Sequence, residues 1–128
     1  MKDYYKNFGL FLLTILILRV VTRFFVFSTD YTLNSKMCFG LYLNNAVATA
    51  ILALFFVVFA IWYYFKPKYQ LPILLIEVGI LSNLMDRIFF DGVVDYLNFW
   101  FIPTFNLADV LIVGGALLLI KQLYKQIK

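Results

Sequence analysis

The chain has 128 residues, of which 64% are hydrophobic, 20% aromatic and only 14% charged, with a formal net charge of +4. Soluble domains are about half apolar, and a domain this small has too little interior to bury more, so we expect lipid to cover part of its surface. A single cysteine and the lack of histidine exclude histidine-based triads, Cys/His zinc sites and an internal disulfide. No basic stretch alternates with stacking aromatic residues outside the apolar segments, which argues against nucleic acid binding.

Four apolar segments predict an all-α integral membrane protein with one domain over residues 1–128. The predicted transmembrane helices cover residues 8–27, 45–65, 71–90 and 104–120. The second of them has 20 residues without a charge, Ala46 to Phe65, and is long enough to cross about 30 Å of hydrocarbon. No small-residue cleavage site follows the first segment, so we expect a retained helix rather than a removed signal peptide. Residues 28–43, in the first outer loop, have a spacing of Thr, Tyr and Phe that favours a short strand or hairpin.

Basic residues are distributed unevenly between the two ends of these predicted helices. Seven lysines lie on the side of the chain termini, namely Lys2, Lys6, Lys66, Lys68, Lys121, Lys125 and Lys128. Four basic residues lie on or toward the other side, namely Arg19, Arg23, Lys36 and Arg87. The cytoplasmic side of a membrane protein carries the excess of Lys and Arg. We therefore expect both termini in the cytoplasm and a multi-pass topology.

The stretch from Ser82 to Asp109 is unusually polar for a chain of this composition. Its charged and amide residues are Asp86, Arg87, Asp91, Asp95 and Asp109, with Asn83, Asn98 and Asn106. A helix that enters the membrane at Pro103 would bring Asp109 toward Asp95 at the outer surface. Two carboxyl groups in a partly dry site share one proton, so that one acts as a base and the other as an acid. Activation of water against a peptide carbonyl requires such a pair.

A purely structural interpretation of the same residues stays open on spacing alone. In this interpretation Asp86 and Arg87 form a local ion pair, and Asp95 is a solvated loop residue. Asp109 then bonds to the backbone or to Asn106. An ionisable residue inside a predicted membrane span is nevertheless a functional candidate by default, which makes Asp109 difficult to explain as structural.

Three short motifs follow one another in this stretch: NLMDR at 83–87, GVVDY at 92–96 and FNLAD at 105–109. Their order and spacing resemble the signature of the lipoprotein signal peptidases (signal peptidase II), a family of four-helix membrane aspartic proteases. The resemblance implies cleavage of prolipoproteins before a diacylglyceryl-modified cysteine, without a metal or cofactor. It also implies a bacterial cell (inner) membrane location, with the active site at the extracytoplasmic face.

The resemblance assigns roles to individual residues. Asp95 and Asp109 become the catalytic pair, and Asp86 supports the site. The residues implied in substrate binding are Asn44, Asn83, Arg87 and Asn106. The implied partners are prolipoprotein substrates and membrane lipid, and we expect the chain to act as a monomer. The outer loops, residues 28–43 and 91–103, would act as lids.

The chain departs from the family pattern at several positions. Family members usually carry an acidic residue and a lysine four apart in the first span, where this chain has Arg19 and Arg23. Glycine is replaced by Ser82 and Ala46, and phenylalanine by Thr49. These departures leave an alternative open, a non-catalytic relative that binds lipidated peptides in the membrane.

The basic residue in the first span also needs a counter-charge. Counted along their predicted helices, Arg19 lies about 16 Å and Glu77 about 10 Å from the inner end. Long side chains reach across such a difference. We therefore expect Glu77 to neutralise Arg19.

Overall fold

The computed structural model describes residues 2–35, 37–38 and 41–128. Within this part of the chain the long helices are α1 (Lys2–Ser28), α2 (Asn45–Phe65), α3 (Gln70–Phe90) and α4 (Leu107–Ile127). The short strands are β1 (Thr32–Asn34), β2 (Met37–Cys38), β3 (Leu41–Tyr42), β4 (Val93–Asp95), β5 (Leu97–Phe99) and β6 (Ile102–Phe105). A single 3-10 turn, Pro67–Tyr69, joins α2 to α3. Lys36 lies outside the described residues.

The four predicted helices are present, and the start of the fourth differs most from the prediction. Residues Ile102–Phe105 pair with β5 as a strand instead of opening the helix. Asn106 then caps α4, because its side-chain oxygen accepts a hydrogen bond from the backbone N–H of Asp109. The prediction that the helix begins near Pro103 is therefore wrong, and Asp109 lies in the first turn of α4.

Three of these helices have the length and composition needed to cross a membrane, within Tyr5–Ser28, Asn45–Phe65 and Leu107–Ile127. The remaining helix, α3, carries Glu77, Asp86 and Arg87 and has many more buried residues than α2 or α4. It packs most extensively against α4, and also against α2 and α1. The polar residues of α3 are therefore surrounded by the other three helices.

Two glycines set the close approach of α3 and α4. A methyl group at Gly79 would lie 2.5 Å from the carbonyl oxygen of Ala108, and one at Gly115 would lie 2.7 Å from the carbonyl oxygen of Pro72. Neither distance leaves room for a side chain. Small residues of this kind allow the backbones of neighbouring membrane helices to touch.

The strands lie at the end of the bundle where α1 and α3 finish and α2 and α4 begin. β2 and β3 pair as an antiparallel hairpin, which confirms the hairpin predicted within residues 28–43. β5 and β6 form a second hairpin. β1 pairs antiparallel with β4, with Thr32 opposite Asp95 and Asn34 opposite Val93. This pairing joins the two outer loops and was not predicted from the sequence.

Candidate active site

Asp95 is the last residue of β4 and is only 3% exposed. One of its carboxylate oxygens accepts a hydrogen bond from Asn106 Nδ2 at 3.3 Å, and the other accepts one from Asn34 Nδ2 at 3.5 Å. Burial, together with the charge of Asp109, raises the pKa of the Asp95 carboxyl to about 7. Near neutral pH this carboxyl therefore holds a proton that an exposed aspartate would have lost.

Asp109 is fixed by the capping box at the start of α4. Its backbone N–H donates to Asn106 Oδ1 at 2.9 Å, and its own Oδ2 accepts from the backbone N–H of Asn106 at 3.1 Å. Such reciprocal bonds satisfy two donors that a helix end would otherwise leave without a partner. Asp109 Oδ1 accepts a further bond from Asn83 Nδ2 at 3.0 Å. The carboxyl orientation is thus determined by both α3 and α4.

Asn106 connects the two carboxyl groups. Its side-chain nitrogen lies 3.3 Å from Asp95 Oδ1 and 3.0 Å from Asn83 Oδ1, and Asn83 in turn donates to Asp109. The same nitrogen lies 3.2 Å from the carbonyl oxygen of Val94. Asn83 and Asn106 are both buried. The amides therefore hold Asp95 and Asp109 in one hydrogen-bonded group.

This group borders a cavity of about 480 Å³, a size typical of ligand sites. Four of the predicted site residues line it, namely Asn83, Arg87, Asp95 and Asp109. Its apolar walls come from β1, α2, β4, β6 and α4, through Leu33, Leu52, Val93, Ile102, Phe105 and Ile112. A mostly apolar wall beside two carboxyl groups suits a substrate that carries hydrocarbon next to a peptide bond.

Asn44 and Asn45 have different surroundings. Asn44 is exposed and caps α2, because its Oδ1 accepts from the backbone N–H of Val47 at 2.8 Å. The neighbouring Asn45 accepts a hydrogen bond from Arg87 Nη1 at 2.7 Å and donates to Asp91 Oδ1 at 2.8 Å. The structure thus brings Asn45, which the sequence analysis missed, to Arg87 and leaves Asn44 outside this group. Asn is a preferred N-cap residue, which accounts for the role of Asn44.

Arg19 pairs with Asp86 and not with Glu77. Its Nη1 lies 2.6 Å from Asp86 Oδ1 and also donates to the carbonyl oxygen of Ser82 at 3.2 Å. The Glu77 hypothesis is wrong because α1 begins six residues earlier than predicted. Counted from the observed starts of their helices, Arg19 lies at about 26 Å, Asp86 at about 24 Å and Glu77 at about 10 Å. Arg19 and Asp86 therefore lie at the same level of the bundle.

The Arg19–Asp86 pair is connected to β4, the strand that ends at Asp95. Asp86 Oδ2 accepts a hydrogen bond from the backbone N–H of Val94 at 3.1 Å, directly before Asp95. Asp86 is 1% exposed, so this carboxylate is almost fully removed from solvent. Arg19 and Asp86 thereby anchor β4 on the side opposite to β1.

Tyr96 is a further residue that the sequence analysis missed. Its hydroxyl oxygen accepts from the backbone N–H of Leu107 at 3.2 Å, and its ring stacks on Phe25 with centroids 4.3 Å apart. Burial raises the pKa of the Tyr96 hydroxyl. Tyr96 thus ties the residue after Asp95 to the start of α4 and to the end of α1.

Comparison with known proteins gives a consistent result. The family model described as Signal peptidase (SPase) II matches residues 4–125. The lipoprotein signal peptidase of Halothermothrix orenii is 39% identical over 107 residues, which cover 80% of this chain and 74% of the relative. That of Clostridium novyi is 31% identical over 112 residues with the same two coverages. A solved bacterial membrane enzyme, 18% identical, has a TM-score of 0.83 and matches 96% of this chain and 90% of its own. This chain belongs to the signal peptidase II family.

Proposed function

We propose that this chain is an aspartic endopeptidase that removes signal peptides from prolipoproteins, with Asp95 and Asp109 as its catalytic pair. Family membership over residues 4–125 supports the reaction. The observation that supports the catalytic pair is that the two carboxyl groups line one cavity and belong to one hydrogen-bonded group. The substrate is a diacylglyceryl-modified prolipoprotein, cut before the lipidated cysteine.

The reaction uses one proton shared by the two carboxyl groups. The ionised member removes a proton from water, and the water oxygen attacks the carbonyl carbon of the scissile peptide bond. The protonated member donates to the carbonyl oxygen. The tetrahedral intermediate then collapses: the C–N bond breaks as one carboxyl group gives a proton to the leaving cysteine nitrogen. The other carboxylate takes a proton from a hydroxyl of the intermediate, so that the pair again holds one proton. A raised pKa at Asp95 keeps one proton in the pair near neutral pH.

The remaining polar residues orient the pair and the substrate. Asn83 and Asn106 fix the carboxyl groups through the bonds described above. Arg87 lines the same cavity and is positioned by Asn45. We assign Arg87, Asn83 and Asn106 to substrate binding, and the segments 28–43 and 91–103 to lids over the site. Asn44 stays a prediction from the resemblance.

In the proposed topology all four helices cross the bacterial inner membrane, and both termini are cytoplasmic. Two of the three charged residues of α3 have partners that lower the cost of crossing: Asp86 is paired with Arg19, and Arg87 is bonded to Asn45. The strands and the catalytic pair then lie at the extracytoplasmic face, where the lipidated cysteine of a precursor is presented. The protein acts as a monomer in contact with membrane lipid.

The non-catalytic alternative is not favoured. Two of the departures from the family pattern have a structural role here. Arg19 pairs with the Asp of the first motif, and the Ser82 hydroxyl, which a glycine lacks, accepts from Arg19 Nη1 at 3.5 Å. Neither departure displaces Asp95 or Asp109 from the cavity.

The test is cleavage of a diacylglyceryl-modified prolipoprotein by the purified chain and by its Asp95→Asn and Asp109→Asn variants. We expect both variants to lose about a thousandfold in turnover, because each removes one partner of the acid–base pair. Asp30→Asn is the matched control, since Asp30 is an exposed aspartate in the first outer loop. Turnover by either site variant within tenfold of the parent would refute the assignment of the pair.

A further inference from the structure

A second cavity lies at the end of the bundle opposite to the catalytic pair. It has a volume of about 430 Å³ and is bordered by the start of α1, the second half of α2 and the first half of α3. Its lining is mostly apolar, through Phe8, Phe11, Phe56, Ala60 and Leu74. Phe8 is 52% exposed, so this cavity is open on its outer side, where lipid surrounds the bundle.

Among the residues that the structure describes, Glu77 is the one acidic residue in this lining. It is 6% exposed, and its Oε1 has no hydrogen-bond partner among the residues that the structure describes. A buried carboxyl group without a partner is costly in protein and in hydrocarbon. Helical side chains tilt toward the N-terminus of their helix, so Glu77 leans toward the inner end of α3. A donor that enters from the inner leaflet would meet this oxygen.

The cavity is separate from the catalytic cavity. Glu77 precedes Asn83 by six residues and Arg87 by ten, which places it about 120° and 80° away from them around α3. Leu52 of α2 lines the catalytic cavity, whereas Phe56 and Ala60 of the same helix line this one. The two cavities therefore share no lining residue among those that the structure describes.

We propose that this cavity binds a membrane phospholipid whose headgroup carries a primary ammonium, with an N–H of that ammonium donating to Glu77. The acyl chain lies against the phenylalanine rings of the lining. Lys6 is exposed, one residue before the lining residue Asn7, and supplies positive charge at the level of the lipid phosphate. A primary ammonium complements the Glu77 carboxylate in charge and supplies a hydrogen bond to Oε1, which accepts none from the described residues.

Native mass spectrometry of the full chain in detergent tests the proposal with three lipids of identical acyl chains. These are phosphatidylethanolamine, phosphatidylcholine and phosphatidylglycerol. Phosphatidylcholine has the same net charge as phosphatidylethanolamine but no N–H donor, so it isolates the hydrogen bond. We expect the parent to bind phosphatidylethanolamine about tenfold more tightly than phosphatidylcholine, as a hydrogen bond to a charged group implies.

Two variants connect the preference to the carboxyl group. Glu77→Leu removes every polar atom, and we expect it to bind phosphatidylethanolamine and phosphatidylcholine equally. Glu77→Gln keeps the size and one acceptor oxygen, and we expect a reduced preference in the same direction. Equal binding of these two lipids by the parent, or an unchanged preference in Glu77→Leu, would overturn the proposal. Tighter binding of phosphatidylglycerol than of phosphatidylethanolamine would also overturn it, because the basic residues would then select the lipid.

Discussion

The carboxyl group of Asp95 stays protonated up to neutral pH because it is buried and lies near Asp109. We expect kcat/KM to fall as the pH rises through about 7, where the pair loses its shared proton and both members become ionised. The measurement is the pH profile of cleavage between pH 5 and 9, in a buffer series of constant ionic strength. A profile that is flat from pH 6 to 9 would contradict a shared proton on this pair.

The Arg19 side chain is 16% exposed and pairs with a nearly inaccessible carboxylate, whereas Arg23, one helical turn later, is exposed. We expect Arg19→Gln to destabilise the protein by about 3 kcal/mol, because it leaves Asp86 buried without its counter-charge. Turnover should fall as well, since Asp86 holds the backbone of Val94. The measurements are unfolding in mild detergent and the cleavage rate.

Arg23→Gln is the matched control, with an expected change within about 0.5 kcal/mol. Arg19→Lys keeps the charge and should recover part of both losses. The double variant Arg19→Gln/Asp86→Asn should cost less than the sum of the two single variants, because no unpaired charge is left. An Arg19→Gln variant as stable and active as Arg23→Gln would show that the pair does not support the site.

The site residues could be predicted where a sequence motif contains them. The partner of Arg19 could not be predicted, because it depends on the relative positions of two helices. The motifs predicted that Asp95, Asp109, Asn83 and Arg87 belong together, and the structure places all four around one cavity. The partner of Arg19 depended on where α1 begins, and an error of six residues shifts a helical position by about 9 Å. For this reason the sequence favoured Glu77 over Asp86.

At the scale of elements, the contact between α3 and α4 places Asp109. A methyl group at Gly79 would lie 2.5 Å from both the carbonyl oxygen of Ala108 and Ile112 Cγ1. We expect Gly79→Ala to push the first turn of α4 outward, at a cost of about 2 kcal/mol. The contact is with Ala108, the residue directly before Asp109, so the Asp109 carboxyl should move as well. A misplacement of 1 Å costs roughly a hundredfold in rate, and we therefore expect turnover to fall at least tenfold.

Gly114→Ala is the control for this prediction. It also lies on α4, but a methyl group there would meet nothing within 4 Å. Alanine favours a helix over glycine by about 1 kcal/mol, so this variant should be at least as stable as the parent. If Gly79→Ala matches Gly114→Ala in thermal stability and in turnover, the close approach of the two helices does not position Asp109.

The helices were predictable from apolar length, whereas most of the strand pairing was not. β1 and β4 are three residues each and are separated by about sixty positions, so no local pattern connects them. The strand Ile102–Phe105 contains Pro103, which in sequence resembles a proline in the first turn of a helix. In the structure this segment pairs with β5, and Asn106 caps the helix, so α4 begins at Leu107.

At the scale of the whole molecule, the proposed topology places the strands outside and the termini inside. We expect a membrane-impermeant maleimide to label Asn98→Cys in intact bacteria, and Lys68→Cys and Lys125→Cys only after lysis. Each variant is made in a Cys38→Ser background, and all three positions are exposed. Opposite labelling of positions 68 and 98 would establish that α3 crosses the membrane. Equal labelling of these two positions would refute the four-helix topology.

The pairing of Arg19 with Asp86 also constrains how the protein is made. The two residues are 67 positions apart, so α1 and α2 are synthesised before the partner of Arg19 has been translated. An arginine at the centre of an inserting helix costs about 3 kcal/mol. During synthesis, α1 therefore carries a charge that favours its return toward the aqueous phase. When α3 follows, its Asp86 pairs with Arg19 and removes that tendency. Stable insertion of α1 in the proposed topology therefore depends on α3.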